Sequence, residues 1–108
     1  MAAASETVEF GVDIAPDHPA FAGHFPGAPV LPGVVLASLV FETLGAAPAL
    51  AQRLGGTAQI DQVKFQSPVG PGSSLRITLS PQGRGITFEI RCAATVVARG
   101  RLSAGTSA

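Results

Sequence analysis

The chain has 108 residues, enough for one compact domain, and 46% of them are apolar, so a core is within reach. Seven basic residues balance seven acidic ones, and the basic ones are dispersed, which argues against bulk electrostatic binding to nucleic acid or a membrane surface. A single cysteine excludes an intrachain disulfide and a cysteine-based zinc site.

The N-terminus, "MAAASETVEF", has no basic start and no long apolar stretch, so no signal peptide is expected. No apolar run reaches transmembrane length, and a soluble, cytoplasmic protein is the expectation. Small-residue tails are expected over about 1–5 and 104–108, flanking one domain that spans 1–108.

"TVEFGVDIA" alternates, with Val8, Phe10, Val12 and Ile14 on one face: a half-buried strand. "PDHPAFAGHFPGAPVLPG" holds too much proline and glycine for regular structure and predicts a stiff, shaped loop. "VVLASLVFETLGAA" then predicts a helix that is apolar almost all round and therefore buried. Pro32 and Gly33 mark its start, Pro48 should end or kink it, and a short helical continuation through Leu50 to Leu54 closes at Gly55 and Gly56. Leu31, Val34, Val35, Leu39 and Phe41 are its core candidates, and some of them also suit the lining of an apolar slot.

After residue 56 the period changes to two. "TAQIDQVKFQSPV" predicts a strand ending before Pro68, and "GPGSS" a turn. "LRITLSP" points Leu75, Ile77 and Leu79 inward, "QGRG" is a hairpin loop, and "ITFEIRC" points Ile86, Phe88, Ile90 and Cys92 inward. "TVVARGRLS" is a last strand after a tight turn at Ala93 and Ala94, two residues poorly suited to a two-residue hairpin loop. Strand, loop, apolar helix and four strands make an α+β fold: a curled, mostly antiparallel sheet against one central helix, with hairpins joining the later strands. So small a domain is expected to oligomerise.

The stretch "GHFPGAPVLPGVV" resembles the signature of the hot-dog-fold 3-hydroxyacyl-[acyl-carrier-protein] dehydratases, and "IDQVKFQSPVGPGSSLRI" is similar to the same family's second strand and turn. The resemblance implies elimination of water from a 3-hydroxyacyl thioester in fatty acid or polyene-type biosynthesis, with acyl carrier protein as partner, no cofactor and no metal. It also implies a dimer whose sites take the histidine from one chain and an acid from the other.

Carried over residue by residue, the resemblance makes His24 the catalytic acid/base and Gly33 the donor of a backbone N–H to the thioester carbonyl, with Phe25, Pro32 and Val34 as further substrate contacts. The family's acid, five places after that glycine, falls on Ser38, a departure from the pattern. A neutral histidine suits proton transfer near pH 7, and free first-turn N–H groups suit a developing oxyanion. Serine does not replace the acid. Glu42, four residues on, shares its helical face, and an apolar surround would favour its proton-donating form.

The blander readings are a structural loop histidine, a glycine that merely fits a crowded helix start, a packed Ser38, and a Glu42 paired with an arginine. His18, outside the motif, reads as a loop hydrogen-bonding residue, and Asp61 and Lys64 as strand surface. Two alternatives stand beside the enzyme: a non-catalytic acyl-binding or partner subunit of a heteromeric dehydratase, and, less favoured, an acyl thioesterase.

Overall fold

The computed structural model describes residues 7–17, 31–55 and 57–105. Strands β1 (Val8–Asp13), β2 (Ala58–Phe65), β3 (Ser74–Gln82), β4 (Gly85–Cys92) and β5 (Thr95–Ala104) form one antiparallel sheet in the order β1-β3-β4-β5-β2. Helices α1 (Gly33–Gly45) and α2 (Pro48–Arg53) separate β1 from β2 in sequence.

The sheet's inner face follows the predicted alternation. Leu75, Ile77 and Leu79 of β3 stand opposite Cys92, Ile90 and Phe88 of β4. Across the next ladder Ile86, Phe88 and Ile90 meet Leu102, Gly100 and Ala98 of β5. All of these are buried apart from Cys92 and Gly100, which are half-buried. Full burial of an aliphatic or phenyl side chain stabilises by about 1.5–3 kcal/mol, so this layer is the main source of fold stability. The outer face carries Glu9, Arg76, Glu89, Arg91 and Arg99 in exposed ion pairs, each worth under about 1 kcal/mol.

Helix α1 crosses the inner face with Leu36, Val40, Thr43 and Leu44 buried, a spacing of three and four that lays one stripe on the sheet. The expectation of burial all round is corrected here: Val34 is 72% exposed and Phe41 38%. One sheet can cover only one side of a helix, so the opposite stripe of Val34, Ser38, Phe41, Glu42 and Gly45 stays open in the single chain. Pro48 stops α1 as predicted, because its ring removes the N–H that the helix would need next, and it opens α2 at the first position. Arg53 ties α2 to the β3–β4 loop through the carbonyls of Gly83 and Gly85.

The joining of strands differs from the expectation in one respect. β3–β4 and β4–β5 are hairpins, but β2 pairs with β5 at the far edge rather than with β3. The turn at "GPGSS" is real, with Gly72 at φ 77°, yet the segment leading to it crosses the sheet instead of reversing. Gln66 and Ser67 donate their N–H groups to Val97, Leu31 donates to Val69, and Ile14 donates to Ser73. These bonds carry the chain from one edge to beside β1.

Candidate active site at the start of helix α1

Pro32 caps α1 in an extended conformation (φ −62°, ψ 146°) with no side-chain cap, and its carbonyl accepts from both Val35 (3.0 Å) and Leu36 (3.4 Å). Among the described residues no acceptor serves the N–H groups of Gly33 and Val34. They stand at the positive end of the helix dipole, where an anion or a developing oxyanion is favoured. Leu31, just upstream, is buried and held by its bond to Val69.

A pocket of about 470 Å³ opens beside this helix start, lined by Leu31, Gly33, Leu36 and Phe65, with Gln66, Ser67 and Pro68 along one margin. Its surface is mainly apolar, as suits an acyl chain with a polar group at one end. Gly33 leaves room for an aromatic ring: a Cβ there would stand 2.8 Å from the Phe65 Cζ, so the ring would have to turn aside.

Further along the helix, Ser38 is exposed and its hydroxyl donates to the Val34 carbonyl at 3.1 Å. Glu42 lies one turn beyond on the same exposed face, so the apolar surround expected of it is not supplied by the described residues. His24 and Phe25 lie outside the described residues. Gly33, Val34 and Pro32 gather at the helix start, while Ser38 and Glu42 stand one and two turns away on a face the single chain leaves uncovered.

Phe65 and its neighbours Gln66, Ser67 and Pro68 were not among the sequence candidates. The signal that bears on Phe65 is a broken period: Ile60, Val63 and Phe65 share the inner face only because β2 carries a bulge between Ile60 and Gln62.

Comparison with known proteins agrees with this geometry. The family model described as ApeI dehydratase matches residues 1–101. The 3-hydroxyacyl-[acyl-carrier-protein] dehydratase FabZ of Rhizobium rhizogenes is 35% identical over 89 residues, covering 78% of this chain and 57% of that protein. Its namesake from Agrobacterium fabrum is 39% identical over 85 residues, covering 74% and 55%. The chain thus spans little more than half the length of these curated relatives. A solved structure, the dehydratase heterocomplex ApeI:P from Xenorhabdus doucetiae, superposes with a TM-score of 0.69 at 27% identity over 90% of this chain and 85% of that one. The fold is the hot-dog fold, and since the family model matches residues 1–101 of its 108, the chain belongs to the ApeI-like dehydratase family.

Proposed function

We propose that this protein takes part in eliminating water from a 3-hydroxyacyl thioester carried on acyl carrier protein, giving the trans-2-enoyl thioester. The observation that carries this reading is the pair of N–H groups at Gly33 and Val34 that have no acceptor among the described residues, with Gly33 lining an apolar pocket. Membership of a dehydratase family supports it.

In this scheme the thioester oxygen sits at the Gly33 N–H. A base removes the proton from C2, and the C2–H electrons form the C1=C2 bond of an enolate whose negative charge rests on the thioester oxygen. As the carbonyl re-forms, that electron pair makes the C2=C3 bond while the C3–O bond breaks, and the departing hydroxide takes a proton and leaves as water. His24 is the acid/base. The positive end of α1 lowers the cost of the developing charge without reorganisation, because its donors are already fixed. Pro32, Val34 and Phe25 shape the approach of the substrate. The lone thiol and a carrier-borne substrate suit a cytoplasmic setting.

A second reading has this chain as one half of a heteromeric dehydratase. Two observations favour it. The Ser38 hydroxyl is engaged within its own helix, and the stripe holding Glu42 is open to a covering partner. The similar solved structure is itself a dehydratase heterocomplex. A partner over that stripe would supply the apolar surround that Glu42 lacks, or an acid of its own.

The test is an assay of the purified protein with a 3-hydroxyacyl thioester, following enoyl formation and free thiol together, beside His24→Ala and Glu42→Gln. Enoyl product that falls about 10²–10⁴-fold in both variants supports the self-sufficient enzyme. Product that needs a co-purified second hot-dog chain supports the partner reading. Free thiol without enoyl product would replace both with hydrolysis.

A further inference from the structure

Phe65 closes β2 on the helix-facing side of the sheet, opposite Ala98 of β5, and remains 50% exposed. Its ring points end-on at Gly33. A Cβ on that glycine would stand 2.8 Å from Cζ and 3.1 and 3.2 Å from the two Cε atoms, so the tip of the ring fills the notch left by the missing side chain. The backbone behind it is fixed, since the N–H groups of Gln66 and Ser67 both donate to the Val97 carbonyl at 2.8 and 3.2 Å. These bonds tether the strand end, and the side chain can still rotate about its own bonds. The ring thus spans the gap from the sheet edge to the first turn of α1 and walls the pocket there.

The geometry points to Phe65 as the residue that sets how much acyl bulk is admitted beside the Gly33 N–H. This rests on the reading of that N–H as the thioester site. A straight acyl chain passes along the ring, whereas a branch on the carbon next to the carbonyl meets its tip. In an apolar pocket one methyl group changes selectivity by about 10-fold or more, so a shortened side chain at 65 should shift the preference toward branched chains.

The experiment is calorimetric binding of unreactive acyl-pantetheine amides, one straight and one methyl-branched at that carbon, to wild type, Phe65→Leu and Phe65→Ala. Circular dichroism confirms that each variant is folded. The expected result is a branched-to-straight affinity ratio raised about 10-fold in Phe65→Ala and less in Phe65→Leu. Gly33→Ala should displace the ring and move the same ratio in the wild-type background, but not in the Phe65→Ala background. A ratio unchanged in folded Phe65 variants overturns the inference, as does failure of wild type to bind either amide. A shifted ratio in a protein that forms no enoyl product, alone or with a second hot-dog chain, keeps this inference and removes the dehydratase reading.

Discussion

The hydroxyl of Ser38 donates to the carbonyl of Val34 at 3.1 Å, one turn back along α1. The position where the resembling dehydratases carry an acid thus holds a group satisfied inside its own helix. A serine hydroxyl in this state neither ionises near neutrality nor protonates a leaving hydroxide. Ser38→Glu places a carboxyl there on an exposed face, and enoyl formation by the purified protein should rise by about tenfold or more. Ser38→Ala should change stability by less than about 0.5 kcal/mol, because the site is exposed and the lost bond is local. A Ser38→Glu protein that folds but gains nothing would assign the acid to Glu42 or to a partner.

Phe41 is an aromatic side chain on the stripe of α1 that the sheet leaves open, beside Val34. Burial of such a ring against another chain is favourable, and a charge in its place is costly. Phe41→Glu should abolish association with a second hot-dog chain, of the same or another kind, while leaving the helix content intact. Sedimentation of the protein alone and after co-expression with the second chain reads this directly. Unaltered association would move the interface elsewhere.

The two hairpin loops of the sheet are unequal. Gly83 opens the first at φ 57°, which costs glycine nothing, while Ala93 opens the second at φ 54°. An L side chain in that region costs about 1–2 kcal/mol, partly offset in an Ala→Gly change by the greater freedom of unfolded glycine. Ala93→Gly should therefore stabilise by about 0.5–1 kcal/mol, a rise in Tm of about 3–6 °C by thermal melting. An unchanged or lower Tm would place the compensation in the unfolded chain.

Asp61 sits beside the β2 bulge with its carboxylate accepting from Ser103 at 2.6 Å and Gln59 at 3.2 Å. The hydrogen bond from Ser103, then that from Gln59, hold its pKa below the ordinary carboxylate value; slight desolvation opposes them, and Arg101 adds a smaller lowering. The folded state therefore favours the ionised form. Its contribution is present above the ordinary carboxylate range, near pH 4, and is lost as pH falls through the lower folded value. Ser103→Ala should move the Asp61 titration upward, as followed by carboxyl carbon NMR. A titration that stays in place would show that Ser103 is not the cause.

Much of this fold was legible in the sequence. Strands β1, β3 and β4 each lay one face on the core, so their alternation had to appear as a period of two, and Pro32, Gly33 and Pro48 punctuated α1 where the backbone demanded it. What escaped were relations between distant segments. Val34 and Phe41 are as apolar as Leu36 and Val40, and only the position of the sheet decides which pair it covers. "GPGSS" has hairpin chemistry, yet tertiary bonds to Val97, Leu31 and Ile14 carry the neighbouring chain across the sheet. Gly33 and Phe65 meet through the placement of α1 against an edge strand, which no local pattern records. The helix-start half of the candidate site was readable from Pro32 and Gly33, while its aromatic wall was not.

The placement of β2 at the sheet edge also has a consequence for how the molecule is made. Asp61 and its partner Ser103 are 42 residues apart in sequence, and among the described residues β2 pairs laterally with β5 alone, the strand of this sheet furthest along the chain. A chain growing from its N-terminus therefore holds β2, with its apolar residues Ile60, Val63 and Phe65, without this partner until β5 has emerged. Closing so long a loop is slow, and an unpaired strand waiting on it is open to the wrong neighbour. The completion of the sheet, and with it the wall of the pocket, is a late event set by the emergence of β5.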